Sequence, residues 1–339
     1  MTGTKTGIAP FLLEPKFDER VWGTVDLNPW YDYVAKGQPI GEVWLTGDEC
    51  RVETGELAGK TLGEVFAEHS AEMLGTAAPL SAAGMSPLLL KVLFAKEKLS
   101  VQVHPDDRMA QKYGEPRGKT ECWYALEANG EAKVALGLRP GTTLDDIRRG
   151  VQEGTLEEDL AVLPVSKGDM IFVDAGTVHA IWPGAILLET QQNSDRTYRL
   201  FDYGRPRELH VEKAVEAIRL ETAAGKIEPA ELVGRTILIE RAYFCVETIE
   251  VDKVRSGVSM AGTFERARGA HAGPAYLFAA EGSGMIRPAG GGFEAFELPT
   301  RRVAGIPAVS PDWEIQDLGG LKLIRISPRW PATEPEATA

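Results

Sequence analysis

The sequence predicts a mostly β fold of the sandwich or barrel type. Short runs of β-forming residues are frequent, Gly and Pro residues interrupt them, and few stretches have helical periodicity. Such a density of strands favours a β framework with a few attached helices. In the first part of the chain the predicted strands are 40–47, 88–94, 98–104, 120–126, 133–138, 169–175 and 185–191.

Two neighbouring stretches predict a small helical insertion over about 139–166. The segment 142–154 begins with a Thr that can cap a helix, has acidic residues in its first turn and places aliphatic residues at helical spacing. The segment 155–165 follows with similar capping residues and is also predicted to be helical. A third helix is predicted over 210–221.

A second β module is predicted after residue 230. Because the strand pattern resumes there, we predict that the first module covers 1–235 and the second covers 236–329. The polar residues 330–339 are predicted to form a disordered tail. The strands predicted in the second module are 237–251, 275–289, 293–299 and 321–328.

The charge of the chain limits its partners. Its 339 residues have a formal net charge of −13, which argues against nucleic acid because nucleic-acid binding requires a basic surface. An anionic ligand would have to be attracted by a local group of Lys and Arg side chains. The alternative is that the charge only keeps the protein soluble.

Nothing in the sequence predicts a membrane segment or export. The longest apolar runs, such as 87–95, are far shorter than the roughly 20 residues that span a bilayer. The first residues lack the pattern of a signal peptide. Cys50, Cys122 and Cys245 are widely spaced and odd in number, so neither a disulfide framework nor a cysteine zinc site is expected. A cytoplasmic location is the simplest expectation.

Polar residues alternate along two predicted strands. In LSVQVHPDD (99–107), alternation places Ser100, Gln102 and His104 on one face and two valines on the other. In GKTECWYAL (118–126), Lys119, Glu121 and Trp123 share a face in the same way. We therefore expect polar groups of both strands to face a common interior.

A third segment supplies another candidate metal ligand. In 168–180, the sequence AGT predicts a tight turn that delivers His179 to the end of the next strand. His104, Glu121 and His179 form a mixed nitrogen and oxygen set typical of zinc or a similar divalent ion, and the oxygen of Gln102 could complete it.

The segments 99–107, 118–126 and 174–205 resemble the signature blocks of the type I mannose-6-phosphate isomerases (phosphomannose isomerases) of the short bacterial form. They occur in the order and at the separations of that family, and the resemblance covers about residues 15–220. It implies two cupin-like modules of the β-barrel or jelly-roll type, the second of them degenerate. The second module contains no further His/Glu ligand set and is expected to be metal-free.

The resemblance also implies the residues of the site. It implies that Gln102, His104, Glu121 and His179 bind one Zn²⁺ per chain. It places further residues around the sugar phosphate: Arg199, Lys119 and Glu189 in catalytic positions, and Lys91, Ser100, Trp22 and Glu42 in substrate-binding positions.

The residue types agree with an anionic substrate. The two implied lysines and Arg199 would provide the local positive charge that an acidic protein needs to hold a phosphate. The alternative for Arg199 is a surface ion-pair network with Asp195, Asp202 and Arg205.

The implied reaction interconverts mannose 6-phosphate and fructose 6-phosphate. It requires an electrophile to stabilise an enediolate and a base to carry a proton, and zinc would act as the Lewis acid. The base remains open among Glu189, Lys119, Lys91 and a metal-bound water.

Two other functions are alternatives. An iron-dependent cupin oxygenase would use the His and Glu ligands, but it would not explain the Lys and Arg residues. The other is a sugar-phosphate-binding cupin without catalysis. The expected partner is a small-molecule sugar phosphate, with neither nucleic acid nor membrane, and the expected state is a monomer or weak homodimer.

Overall fold

A computed structural model describes residues 7–76, 78–79, 82, 84–251, 258–259 and 273–331, with the backbone alone for 258–259. The predicted disordered tail lies almost entirely outside these residues. The strands are β1 Phe11–Leu13, β2 Lys16–Thr24, β3 Ile40–Trp44, β4 Leu88–Phe94, β5 Val101–Val103, β6 Glu121–Ala128, β7 Lys133–Leu138, β8 Leu160–Pro164, β9 Met170–Val173, β10 His179–Ile181, β11 Ala185–Gln192, β12 Tyr198–Phe201, β13 Gly225–Ile227, β14 Ala230–Leu232, β15 Arg235–Glu240, β16 Phe244–Ile249, β17 Val258–Ser259, β18 Ala275–Glu281, β19 Gly284–Pro288, β20 Phe296–Leu298, β21 Val303–Ile306, β22 Trp313–Asp317 and β23 Lys322–Pro328.

Helices are short and few. None of the helices within the described ranges is long and apolar enough to cross a membrane. The cysteines are buried free thiols. The helices are α1 Leu62–Glu68, α2 Ser70–Leu74, α3 Asp107–Lys112, α4 Leu144–Glu153 and α5 Val211–Ala217, with a 3₁₀ helix over Leu156–Asp159.

The chain forms two compact units, and the mostly β fold predicted from the sequence is confirmed. The central unit contains residues 16–44 and 88–228. The terminal unit contains the described residues of 1–15, 45–87 and 229–339. This division is not contiguous in sequence, because β1, near the start of the chain, pairs with β21, near its end.

The central unit consists of two antiparallel sheets. The strand order is β13-β9-β6-β11-β4-β3-β2 in the larger sheet and β12-β5-β10-β7-β8 in the smaller one. Apolar side chains of both sheets, such as Trp123 and Leu187 on one and Val134 and Ile181 on the other, form one buried cluster. The outer face of the smaller sheet forms another cluster with α4, α5 and the 3₁₀ helix.

The terminal unit also contains two antiparallel sheets. Their strand orders are β1-β21-β18-β23-β16-β15-β14 and β17-β22-β19-β20. Its apolar cluster again includes residues of both sheets, for example Leu277 and Leu323 with Ile286 and Ile315. The predicted runs 237–251 and 275–289 each form two strands joined by a turn.

The helical insertion is partly confirmed. Helix α4 begins after Thr143, whose hydroxyl accepts from the Asp146 backbone N–H while the Asp146 carboxylate accepts from the Thr143 N–H. The second predicted helix, over 155–165, is wrong, because only one 3₁₀ turn forms before strand β8 pairs with β7. A free edge on β7 and a Pro at 164, which disfavours a helix interior, explain this outcome.

Gly118 brings the start of β6 close to the end of β5. A Cβ atom at Gly118 would lie 2.5 Å from the carbonyl carbon of Asp106 and 2.6 Å from the carbonyl oxygen of Pro105. The two segments are joined by hydrogen bonds from the Lys119 N–H to Pro105 O (3.0 Å) and from the Gly118 N–H to Asp107 Oδ1 (2.7 Å). Only glycine permits this distance between the two backbones.

We therefore expect Gly118→Ala to lower the free energy of unfolding by about 1–3 kcal/mol, since the new methyl group would collide with backbone atoms that cannot move independently. Urea-induced unfolding measures this change. Gly130→Ala is the matched control, because a Cβ there would have no neighbour within 4 Å. Equal unfolding midpoints for the two variants would contradict the proposed constraint.

Candidate functional site

Two histidines and a glutamate converge inside the central unit. One possible ligand atom from each of His104, Glu121 and His179 lies within 4.8 Å of the others. All three side chains are buried, with at most 1 % of their surface exposed. In the part of the chain that the structure describes, this is the only such group of His, Cys, Asp or Glu side chains.

Backbone carbonyls orient both imidazole rings. His104 Nδ1 lies 2.9 Å from the Arg196 carbonyl oxygen, and His179 Nδ1 lies 2.9 Å from that of Thr177. Since a carbonyl can only accept, each Nδ1 carries the hydrogen and each Nε2 presents a lone pair. Burial lowers the pKa of His179 to about 4, and burial together with the Lys119 ammonium holds the pKa of His104 well below its usual range. Both rings are therefore neutral at neutral pH.

One carboxylate oxygen of this group has no hydrogen-bond donor among the described residues. His179 Nε2 lies 3.5 Å from Glu121 Oε1, which has no hydrogen-bond partner among the described residues. Glu121 Oε2 lies 3.5 Å from His104 Nε2 and accepts from Lys119, whose Nζ is 3.0 Å from the same His104 atom. Buried acceptors are costly unless a donor or a cation compensates them. The donor set fits a divalent metal ion with nitrogen and oxygen ligands.

A row of buried charges continues from this group. Lys119 Nζ and Lys91 Nζ each lie 3.9 Å from Glu189 Oε1, and all three side chains are buried. The Trp123 indole N–H donates to Glu189 Oε2 at 3.2 Å. In the strand register Glu189 lies opposite Lys91 on β4 and opposite Trp123 on β6, so neighbouring strands position the row.

Burial and charge shift the pKa values in this row. Burial raises the pKa of Glu189 to about 7, although Lys119 opposes the shift. Burial alone would lower the pKa of Lys91, but Glu42, Asp195 and Glu189 together raise it above its ordinary value. The pKa of Lys119 is raised in the same way, because Glu121 and Glu189 outweigh its burial. Both lysines are ammonium ions at neutral pH.

Comparison with known proteins agrees with this chemistry. The family "Phosphomannose isomerase type I, catalytic domain" matches residues 11–146. A probable mannose-6-phosphate isomerase of Bacillus subtilis, GmuF, is 38 % identical over 253 residues, which cover 70 % of this chain and 78 % of that protein. The chain belongs to the type I phosphomannose isomerase family.

Solved structures share the fold of this family member. The mannose 6-phosphate isomerase from Bacillus subtilis superposes with a TM-score of 0.80 at 30 % identity, over 94 % of this chain and 99 % of that chain. A mannose 6-phosphate isomerase bound with zinc and yttrium superposes with a TM-score of 0.71 over 95 % of this chain and 100 % of that chain. Its identity of 18 % supports similarity of fold alone.

Gln102 and Ser100 lie beside the group formed by His104, Glu121 and His179. Gln102 lies directly opposite His179 in the sheet, and its Nε2 is 3.2 Å from His179 Nε2. Its oxygen accepts from the Ser100 hydroxyl at 3.2 Å. The amide would have to turn to present its oxygen to a metal, so the role of Gln102 as a ligand stays a prediction.

Glu42 lies at the other end of the charged row. Its carboxylate accepts from Arg20 through Nε at 3.2 Å and Nη2 at 3.1 Å, and from the Trp44 indole N–H at 2.8 Å. Lys91 Nζ lies 3.2 Å from Glu42 Oε2. The sequence analysis missed Arg20 and Trp44. Alternation along β3 pairs Trp44 with Glu42 on one face, which is the signal that could have identified the tryptophan.

Trp22 occupies a different environment. It is 3 % exposed and belongs to the apolar cluster that also contains Leu93 and Leu99. No polar contact of its side chain with the charged row is present within the described ranges. Its predicted role in substrate binding stays a prediction.

Arg199 lies opposite Gln102 in the smaller sheet and is half-buried. Across the described residues no carboxylate lies within 4.0 Å of its guanidinium, and its Nε is buried without a hydrogen-bond partner. Asp202 instead pairs with Arg205 and Arg207. The alternative that Arg199 belongs to this ion-pair network is therefore not supported by the contacts.

We expect protein purified without chelator to contain about one divalent metal ion per chain, as a site of this type requires. Elemental analysis should show that His104→Ala and His179→Ala each lose it, since each substitution removes one lone pair. His69→Ala is the matched control, because this partly exposed histidine lies near Glu68 and outside the group. Full metal content in both site variants would contradict the assignment.

Proposed function

We propose that the protein interconverts mannose 6-phosphate and fructose 6-phosphate and depends on one zinc ion. His104, Glu121 and His179 would hold the ion, with the Gln102 oxygen as a fourth ligand. The observation that carries the proposal is the group of buried lone pairs directly beside the charged row, in a chain of the phosphomannose isomerase family. We also propose that the two β modules are of the cupin type.

Zinc, when bound, supplies a Lewis acid that polarises the carbonyl oxygen of the substrate and stabilises the negative charge of the enediolate. The chain itself supplies the remaining functions. Lys119 lies next to the same group, and its ammonium can donate hydrogen bonds to substrate oxygens. Ser100, which is 3 % exposed and bonded to Gln102, can orient a hydroxyl group of the sugar.

Glu189 is the best supported proton carrier. The reaction moves a proton between two neighbouring carbon atoms, so one group must take the proton and return it. A carboxyl group with a pKa near 7 is suited to both steps at neutral pH. Lys91 and Lys119 are held as ammonium ions by their carboxylate neighbours and are therefore poor bases. The Trp123 indole N–H fixes the other Glu189 oxygen.

Arg199 is proposed to bind the substrate phosphate or the charge that develops near it. Its guanidinium has no carboxylate partner in the described part of the chain, it lies in the same strand register as Gln102, and a planar guanidinium matches paired oxygens well. In a protein of net charge −13, such an unpaired cation favours the binding of an anion.

The alternatives explain less of the structure. An iron-dependent oxygenase would account for the histidines and Glu121, but not for two buried lysines on either side of Glu189. A non-catalytic binding protein would not require a group of metal ligands directly beside a buried carboxyl group and two ammonium ions. The cytoplasmic location and the monomer or weak homodimer stay predictions. The metal-free second module also stays a prediction, since residues 252–257 and 260–272 lie outside the described part.

We expect the purified protein to convert mannose 6-phosphate into fructose 6-phosphate in a coupled assay. Removal of metal with a chelator should abolish turnover, because the reaction would then lack the Lewis acid that stabilises the enediolate. Added Zn²⁺ should restore it. Restoration by Fe²⁺ alone, with oxygen consumption, would favour the oxygenase. Metal-loaded protein that binds the sugar phosphate without turnover would favour the non-catalytic alternative.

Kinetics of two variants should separate the proposed roles. Glu189→Gln should lower kcat by about 100- to 10,000-fold, the usual contribution of a general base. Arg199→Lys should lower kcat/KM by roughly ten- to a hundredfold, because losing a charge-assisted hydrogen bond costs ~1.5–3 kcal/mol. A rise in KM alone would assign Arg199 to phosphate binding, and a fall in kcat would assign it to the enediolate.

Arg205→Lys is the matched control for the arginine, because Arg205 pairs with Asp202 and Glu97 away from the metal group. Metal content should be unchanged in every variant. Wild-type kinetics for Glu189→Gln or for Arg199→Lys would exclude the role proposed for that residue.

A further inference from the structure

Asp195 makes an unusual contact for a residue on an exposed loop. It lies between β11 and β12, and 51 % of its side-chain surface is exposed. Its Oδ1 nevertheless lies 2.9 Å from Nζ of Lys91, whose side chain is only 2 % exposed. An exposed carboxylate thus covers a buried cation from the solvent side.

The three carboxylate partners of Lys91 are not equivalent. Glu42 and Glu189 belong to β3 and β11, are at most 9 % exposed and cannot leave without disturbing a strand. Asp195 is the only one of the three on a loop. It is therefore the partner that an anion from solvent can replace by rotation of a single side chain.

The loop backbone would not need to move in this exchange. The carbonyl oxygen of Arg196 accepts from His104 Nδ1, and that of Ser194 accepts from the Gln191 side-chain amide. These contacts hold the backbone on both sides of Asp195, while its side chain remains open to solvent.

A second cation faces the same position. Nη2 of Arg20 lies 3.7 Å from Asp195 Oδ2, and its guanidinium also pairs with Glu42 and Asp18. The side chain of Arg20 is 25 % exposed. The two oxygens of the Asp195 carboxylate therefore face an ammonium and a guanidinium, which is the arrangement that also binds a phosphate group.

We propose that Lys91 and Arg20 bind the phosphate group of the substrate, and that the Asp195 carboxylate occupies this anion position until the phosphate replaces it. The proposal rests on the proposed function. It adds Arg20 as a residue that binds the substrate and Asp195 as a carboxylate that the substrate displaces.

The geometry of the row connects this position to the metal group. Glu189 Oε1 lies 3.9 Å from Lys91 Nζ and 3.9 Å from Lys119 Nζ, and Lys119 contacts His104 and Glu121. A sugar phosphate whose phosphate binds at Lys91 therefore has Glu189 beside its carbon chain. Its carbonyl end would lie toward the histidines. Arg199, which lies opposite Gln102, would then face the charge that develops at that end, and of the two roles proposed for Arg199 this placement selects that one.

Displacement of an internal carboxylate makes binding selective for strong anions. Apparent affinity falls in proportion to the fraction of molecules whose site is open. A phosphate dianion offers more charge and more acceptor oxygens than a single carboxylate, so it can displace Asp195, whereas an unphosphorylated sugar gains nothing there. The cost is a weaker apparent affinity for phosphate in the wild-type protein.

The test measures binding of inorganic phosphate by isothermal titration calorimetry, which does not depend on turnover. Asp195→Asn should bind phosphate on the order of tenfold more tightly than wild type, because the competing charge is gone. Arg20→Gln should bind it on the order of tenfold more weakly, since one charged donor is lost. Glu97→Gln is the matched control: it removes one exposed carboxylate that pairs with Arg205, and it should leave phosphate affinity unchanged.

Unchanged or weaker phosphate binding by Asp195→Asn would overturn the proposal, and so would an equal gain in Glu97→Gln, which would show a general effect of net charge. Since Asp195 is exposed on a loop, its variant is expected to fold and the decision rests on it. Isomerisation of mannose 6-phosphate by the wild-type protein is assayed separately. Turnover without the phosphate effect refutes the Asp195 exchange alone, and the phosphate effect without turnover refutes the isomerase function alone.

Discussion

Two ammonium groups are buried beside one carboxylate oxygen, and this arrangement constrains the interior of the central unit. Lys91 and Lys119 each place Nζ 3.9 Å from Glu189 Oε1. A buried charge is costly unless opposite charges with good geometry surround it. Glu42 compensates one end of the row and Glu121 the other. Removing any one of these side chains would leave a buried charge with fewer partners of opposite charge.

The same strands support both the charges and the apolar core. Glu189 lies opposite Lys91 and Trp123 in the register, and two residues earlier on the same face Leu187 lies opposite Leu93. One end of the inner face of the larger sheet is therefore charged and the other end apolar. Packing at the apolar end orders the strands, and the ordered strands hold the charged side chains in position at the other end.

Alternation made much of the site predictable. The valines of β5 pack on the outer face of the smaller sheet, so Gln102 has to point inward, where it meets His179. A period of two needs no knowledge of the partner strand. Prediction failed where a partner decided the outcome: 155–165 has helical capping signals, yet β8 forms because the edge of β7 is available to pair with it.

The amino-acid sequence by itself determined the mostly β class, the inward-facing residues of β5 and β6 and the family, because each of these depends on patterns within a few residues. Only the tertiary structure decided which charge neutralises which. Asp195 meets both Arg20 and Lys91 across long stretches of chain, and β1 pairs with β21 in the same way. Such pairings depend on distances between distant segments, because the interaction of two charges falls with their separation in space and is independent of their separation along the chain.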